Sequence, residues 1–577
     1  MKGGWIHLKL IAPFTAFVVL FQGCSTRPDP APEWTRSIEK PQAISTGGMV
    51  VSDEARATHI GVEILNQGGN AIDAAVATAF ALAVVYPEAG NLGGGGFLVA
   101  HLADGQSVAL DFREKAPQAA SRDMYLDQEG NLTDMAVNGH RAAGVPGSVA
   151  GLWEAHRAYG SLSWNAVIMP AWHLAHDGFV VNERMARTLR ADSARLSRFN
   201  SSRDLFFLQG TTLQQGVLWK NPDLAATLQR IAAEGMKGFY TGQTAELLVA
   251  EMARGNGLIT RSDMAEYCAI WRHPLSFMYR GHSILSMPPS SSGGVTLALI
   301  CNIVSVYDLR TLGWHSAEAT HLIVEAMRRA FAVRNRDLGD PDFVHIPLDT
   351  LLSEQFARRL RGDIMPGQAT PSAAFTIPGA EETETTHLGV VDAKGNAVSL
   401  TTTLNSLYGN GVTVQGAGFL LNNEMDDFAA KPGAPNMFDL VQGEANAIAP
   451  GKRMLSTMTP TIVLDAQGSP FLVTGARGGP HIVTSVFHVL SNILDYGMDL
   501  PQAITAPRFH HQHLPDYIVY EERGIAQSIL KQLRNMGYDT KTSNSGSAPS
   551  LLRVHDRWIG FGDPRSGGSA EGQALLP

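Results

Sequence analysis

The apolar positions of this chain change their pattern several times along its length, and each change marks an element. Residues 54–65 read as a helix, with Ser52 or Asp53 as its cap and Gly68-Gly69-Asn70 closing it. The next segment, 71–85, is apolar nearly all round, which predicts a helix buried on every side until Pro87 stops it. Four glycines, 93–96, predict a tight turn, followed by strands at 97–101 and 107–111 that turn at Asp104-Gly105. The stretch from about 150 to 370 is mainly helical by pattern. Pro288-Pro289-Ser290-Ser291-Ser292 interrupts it before an apolar helix at about 295–307. Residues 364–384, rich in Pro, Ala, Thr and Glu and without period, predict an exposed loop. Beyond it come two hairpins, 387–392 with 397–403 and 461–465 with 471–474, and then a long apolar helix at about 481–496. Helices and strands in this order predict a layered α/β body.

Composition adjusts that picture in a few places. A length of 577 residues would allow about four domains at roughly 150 residues each. Apolar residues make up 44% and charged residues 17%, so the chain can bury a large core and is not disordered as a whole. A net charge of -9 excludes a nucleic-acid binder that works by bulk electrostatics. Three cysteines exclude a disulfide framework. Cys24 stands apart, because Lys2 and Lys9 followed by an apolar run over 10–21 form an export signal too short to span a membrane. The run ends at Gly23-Cys24, which resembles a lipoprotein signal with acylation at Cys24; an ordinary signal peptide cut near Gly23 or Thr26 is the other reading. Either predicts an exported, periplasmic protein, with residues 1–24 as signal, 25–45 as a Pro-rich tether and membrane contact only through a lipid anchor. Cys268 and Cys301 read as buried free thiols.

Most chemical motifs fail on inspection. The glycine run lacks the lysine and spacing of a phosphate loop, and no serine lies in a GxSxG elbow. The histidines at 173, 176, 510, 511 and 513 have no carboxylate at ligand spacing, so neither a metal nor a cofactor is expected. Thr385-Thr386 is different, because it sits where the acidic loop meets the buried hairpin. A threonine hydroxyl needs a base beside it to become a nucleophile. Cutting the Glu384–Thr385 bond would supply one on the same residue, an α-amine with a reference pKa of about 7.7 to 8.0.

Ordered motifs then carry a resemblance. Thr385-Thr386-His387 with its hairpin, Asn422-Asn423-Glu424-Met425-Asp426-Asp427-Phe428 and Lys452-Arg453-Met454-Leu455-Ser456-Thr457 resemble the γ-glutamyltranspeptidase family. Asp111-Phe112-Arg113-Glu114 and Ala506-Pro507-Arg508-Phe509-His510 add to it, and the similarity runs from about residue 45 to the C-terminus. The resemblance implies an N-terminal-nucleophile hydrolase, a four-layer αββα sandwich autoprocessed from one precursor. The large subunit would run to Glu384 (46–384 for its folded part) and the small one over 385–577, the two sharing one structural domain as a heterodimer. Thr385 would attack the γ-carbonyl of glutathione or another γ-glutamyl compound, and an amino acid, a peptide or water would take the acyl group. Thr403 would bond the nucleophile, and the N–H groups of Gly478 and Gly479 would form the oxyanion hole. Arg113, Ser456 and Thr457 would hold the α-carboxylate, and Asn405, Glu424 and Asp427 the α-ammonium.

Three departures from the family stand near this site. Arg477 and Pro480 flank the glycine pair, and Phe438 replaces a tyrosine in a lid at about 429–442, which would loosen the lid's latch. A glutaryl or cephalosporin acylase is the nearest alternative, opposed by Arg113 and Asp427, which suit an amino-acid head. An uncut, non-catalytic envelope-binding lipoprotein is the alternative of another class.

Overall fold

The structure is a computed structural model that describes residues 1–3, 42–372 and 383–573, with only the backbone at 383 and 384. Most of the signal segment with Cys24, most of the tether, and residues 373–382 of the acidic loop lie outside the described residues. The tether expected through 45 ends earlier, because Gln42–Ser45 is a strand paired with Arg557–Phe561.

Two seven-stranded antiparallel sheets lie face to face. Across the first run Ser569–Gly572, Met49–Ser52, Thr383–Val391, Ala397–Ser406, Gly95–His101, Ser107–Phe112 and Ile270–Arg272. Across the second run Gln42–Ser45, Arg557–Phe561, Ser550–Val554, Pro470–Thr474, Thr461–Leu464, His282–Ser286 and Leu275–Tyr279. Strand periodicity then divides the core into two. On the first sheet Val50, Leu388, Val390, Val398 and Leu400 point outward into the cluster built by helices Ala55–Asn66 and Ala71–Val85. Met49, Val51, Phe97, Val99 and Ala397 point the other way, against Ile462 and Val473 of the second sheet, whose strand neighbours Val463 and Leu472 face the helices beyond. Helices Gly293–Val304 and His481–Leu494 belong to that second cluster and cover the far face. The result is an αββα sandwich, the architecture the family resemblance implied.

The buried helix forms as its composition predicts. Every residue of Ala71–Val85 is buried, and Asn70 with Asp73 makes a reciprocal capping box at its start. Its neighbour begins at Ala55, and Glu54 rather than Ser52 or Asp53 is the cap, accepting from the N–H groups of Arg56 and Ala57. The glycine run is not a tight turn. None of residues 93–96 has a positive φ, and Gly95 and Gly96 are already strand residues. What demands glycine there is closeness, since a Cβ on Gly94 would lie 2.1 Å from the carbonyl oxygen of Thr403. Cys301 is buried as expected, but Cys268 is exposed, because it falls in the bend before the edge strand Ile270–Arg272.

Five histidines, with His387, His488 and His511 buried and His315 and His481 half-buried, make the folded chain sensitive to acid. Burial pushes His315, His387, His481 and His511 down to about 4 and His488 to about 3. The same rings in an unfolded chain titrate at about 6.5, so between the two values the unfolded chain binds more protons. Stability is therefore complete above about 6.5 and declines as pH falls toward 4, by roughly 1.4 kcal/mol per pH unit for each ring. The urea midpoint should be steady above neutrality and drop steeply below about pH 6.5; a flat profile down to about pH 5 would refute the assignment.

Candidate active site

The hairpin that divides the first sheet brings the two key hydroxyls together. Thr385 and Thr403 are directly paired residues of its two strands, so their side chains share a face. That face looks toward the second sheet, as Ser399 on the same strand does when its hydroxyl donates to the carbonyl of Thr474. The Thr385 hydroxyl donates toward that of Thr403 at 3.5 Å, a long contact for an O–H···O bond. Thr403 Oγ1 accepts at 2.8 Å from the N–H of Asn405, a residue held at φ 81°, in the left-handed region. Thr385 and Thr403 are both buried, at 4% and 3% exposure.

Above them lies a cavity of about 20 Å³ lined by Arg113, Thr385, Thr403, Glu424, Asp427 and Gly479, with Asn405, Ser456 and Thr457 also in its wall. That is room for about one water molecule. All the predicted head-group residues thus meet at one place, although they come from four separate stretches of chain. Thr457 Oγ1 donates to the carbonyl of Gly479 at 2.8 Å, and Ser456 Oγ accepts from the N–H of Met458 at 3.1 Å. Gly478 and Gly479 occupy the left-handed region at φ 118° and 53°, where glycine is favoured. Their carbonyls accept from His481 and Ile482 as helix His481–Leu494 begins, and their own N–H groups have no partner among the described residues. Two free N–H groups at a helix N-terminus suit a developing negative charge. Gly479 lines the Thr385 cavity, whereas Gly478 faces a larger neighbouring cavity of about 730 Å³.

The charges in this pocket are unusually dense. Arg113 is fully buried and touches Glu424 at 2.6 Å, Asp427 at closer range and Glu114 at 3.4 Å. Burial pushes the Glu114 carboxyl up to about 7, against the pull of Arg113. Burial likewise raises Glu424 well above the usual carboxylate range and raises Asp427 less, each opposed by Arg113. An arriving cation would favour their charged forms, as Arg113 does, against the burial that disfavours them. A single guanidinium and two adjoining acids offer opposite charges side by side, which fits the carboxylate and ammonium of one amino-acid head.

Sequence reasoning missed three residues here. Arg334 lines the same cavity and is fully buried, and it donates to neutral partners, Ser292, Asn335 and Gln442. Burial, reinforced by Arg113 nearby, pulls its guanidinium down to about 10, against Asp427. Asp53, taken for a possible helix cap, instead sits behind the hairpin. It accepts from Thr386 Oγ1 at 3.1 Å, from the N–H of His387 at 3.2 Å and from Ser547 Oγ at 2.6 Å. Gln512 reaches the lid, as described below. No local pattern marks such contacts, which span 74 residues between Gln512 and Phe438 and 333 between Asp53 and Thr386.

The departures find their places. Pro480 takes φ -58° at the helix N-cap, where a missing N–H costs nothing. Arg477 lines the larger cavity, with its Nε donating to Ser547 Oγ at 3.2 Å. Phe438 lines both cavities and so forms part of the wall between them. Glu384 adjoins Thr385 in the strand, but its side chain lies outside the described residues. Among the described residues no group of three or more His, Cys, Asp or Glu side chains is placed to hold a metal ion.

Comparison with known proteins adds four findings. The profile of the family described as Gamma-glutamyltranspeptidase matches residues 57–573. The glutathione hydrolase proenzyme of Escherichia coli (strain K12) is 43% identical over 527 residues, 90% of this chain and 90% of that protein. The acylase ACY 1 proenzyme of Pseudomonas sp. (strain V22) is 37% identical over 507 residues, 87% and 88% of the two chains. In three dimensions the cephalosporin acylase from Bacillus halodurans superposes with a TM-score of 0.83 over 97% of this chain and 100% of that one. At 24% identity that likeness concerns the fold alone.

Proposed function

The chain belongs to the γ-glutamyltranspeptidase family, and from that premise we propose how its own residues do the chemistry. The protein is a γ-glutamyltransferase and glutathione hydrolase, made as a proenzyme that becomes two subunits. The observation that carries the assignment is the meeting of Thr385 and Thr403 with the Arg113–Glu424–Asp427 cluster in one buried pocket. Cleavage between Glu384 and Thr385 frees the Thr385 α-amine, which becomes the general base for its own hydroxyl. Thr403 orients that hydroxyl. The oxygen attacks the γ-carbonyl, and the N–H groups of Gly478 and Gly479 receive the charge that develops on the carbonyl oxygen. The α-amine then protonates the leaving nitrogen, and water or an amino group of an acceptor releases the acyl group from Thr385.

Arg113, Ser456 and Thr457 take the donor's α-carboxylate, and Asn405, Glu424 and Asp427 its α-ammonium. Because Arg113 is already paired with Glu424 and Asp427, the donor head must enter between them, which replaces internal ion pairs by equivalent ones to the ligand. The acceptors are amino acids and peptides. Residues 1–24 export the chain to the periplasm, where Cys24 is acylated and anchors it.

Purified wild-type protein should give two bands on a denaturing gel, the smaller beginning at Thr385 by N-terminal sequencing. A γ-glutamyl-anilide should be cleaved much faster than a glutaryl-anilide, which lacks the ammonium. One band would remove the enzyme reading, and faster glutaryl cleavage would turn the assignment to an acylase.

A further inference from the structure

The lid that carries Phe438 has no tyrosine hydroxyl to fasten it, yet the segment is not loose. Met437 donates its N–H to Asp426 at 3.0 Å, and Asn436 Oδ1 accepts from the N–H groups of Phe438 and Leu440. These contacts shape the lid internally or tie it to the neighbouring acidic motif. One contact ties it to the opposite wall. Gln512 Nε2 donates to the carbonyl oxygen of Phe438 at 3.0 Å, in a bond that is buried on both sides.

Gln512 is in turn held by a directed chain. Its Oε1 lies 2.9 Å from His510 Nε2, and His510 Nδ1 lies 2.9 Å from Thr484 Oγ1. The Gln512 amide donates to Phe438 O, so its Oε1 accepts from His510 Nε2–H. Thr484 Oγ1 completes the chain, lying 2.9 Å from His510 Nδ1 while it also reaches the carbonyl of His481 at 3.1 Å. Flipping the amide would set N–H against N–H at one end and oxygen against oxygen at the other. The ring itself cannot turn aside, because it stacks on His481 at 4.0 Å and meets Phe331 edge-on at 5.6 Å. Thr484, His510 and Gln512 are all buried, the last two at the edge of the larger cavity.

We propose that Gln512, oriented by His510 and Thr484, is the positioning residue that latches the lid through the main chain of Phe438. The latch keeps the Phe438 ring between the small cavity over Thr385 and the cavity of about 730 Å³ beside it. It works whatever side chain stands at 438, which is how this chain dispenses with a hydroxyl there. With the latch closed, the acyl group on Thr385 is walled off from the larger, wetter space. With it open, the two cavities join and water reaches the acyl-enzyme more often. The catalytic consequence rests on the γ-glutamyl assignment above; the latch itself does not.

Two variants separate the links. Gln512→Glu keeps an acceptor for His510 but removes the donor to Phe438 O, and Gln512→Met removes both while keeping the volume. Each is prepared as the cleaved two-chain protein and compared with wild type by hydrogen exchange on peptides covering 429–442. Exchange there should quicken about five- to tenfold, the change expected from losing one buried hydrogen bond, with the rest of the chain unaltered. Donor KM should rise by a similar factor while kcat changes little, and the share of acyl-enzyme lost to water should increase relative to transfer. Unchanged lid exchange in both variants overturns the latch, whatever the activity. Faster lid exchange with unchanged KM and partition keeps the latch and overturns its role in catalysis. If wild type itself lacks γ-glutamyl activity, the exchange comparison still decides the latch and the functional assignment fails separately.

Discussion

Thr385→Ala should leave a single uncut chain and no measurable γ-glutamyl transfer. The substitution removes the hydroxyl that lies 3.5 Å from Thr403 Oγ1 and shares a cavity wall with Gly479. Two activities depend on that oxygen. It attacks the Glu384–Thr385 peptide bond in the precursor and the γ-carbonyl in the mature enzyme. Loss of a nucleophile of this kind costs on the order of 10⁴-fold or more, so residual turnover from a folded but uncut protein should vanish into the background. Thr385→Ser retains the oxygen and should cut and turn over more slowly, because serine lacks the methyl that fixes the β-branched rotamer. Circular dichroism should be unchanged in both variants, as Thr385 contributes one small side chain to a strand held by neighbours on both sides. Cleavage of the alanine variant at the same bond would show that another group does the cutting.

Much of this was legible in the sequence, and the reasons divide cleanly. The helix at 71–85 and the hairpin around Lys394-Gly395 could be read because their signals are local: an apolar run with a cap, and alternation around a turn. The meeting of Thr385 and Thr403 was legible only through the family resemblance, because the strands are longer than their apolar cores suggested, at Thr383–Val391 and Ala397–Ser406. Polar threonines at strand ends masked the extension, and they are polar because they line the pocket. The glycine run misled for a related reason. A glycine needed for close approach looks the same in sequence as one needed for a turn, and only the carbonyl of Thr403 beside Gly94 tells them apart. The head-group residues were legible through the family motifs alone. Nothing local in Arg113, Glu424 or Asp427 announces that two stretches so far apart in sequence converge. Asp53, Arg334 and Gln512 lay beyond reach because their partners are long-range and the motifs around them carried other readings.

Arg113→Met should have the second largest effect, and its pattern across substrates tests how the pocket reads its donor. Methionine keeps much of the length of the buried stem but removes the guanidinium that pairs directly with Glu424 and Asp427. Both acids would then hold their protons more firmly, because burial already favours the neutral form and Arg113 is the main force opposing it. The donor would lose the cation for its carboxylate and, by this coupling, the negative charge for its ammonium. Breaking one side of a buried ion cluster typically costs about 3 to 5 kcal/mol, which corresponds to a fall of roughly 10² to 10⁴ in kcat/KM. A γ-glutamyl-anilide and a glutaryl-anilide should both suffer, since both present a carboxylate at the far end of the acyl chain. Asp427→Asn separates the two halves of the head. It leaves Arg113 in place and removes one charge that the ammonium needs, so γ-glutamyl turnover should fall by about 10² or more while glutaryl turnover stays level. The ratio of the two rates is the decisive reading, because a variant that merely destabilised the pocket would lower both alike. Equal losses for both anilides in Asp427→Asn would mean that Asp427 supports Arg113 and does not read the ammonium.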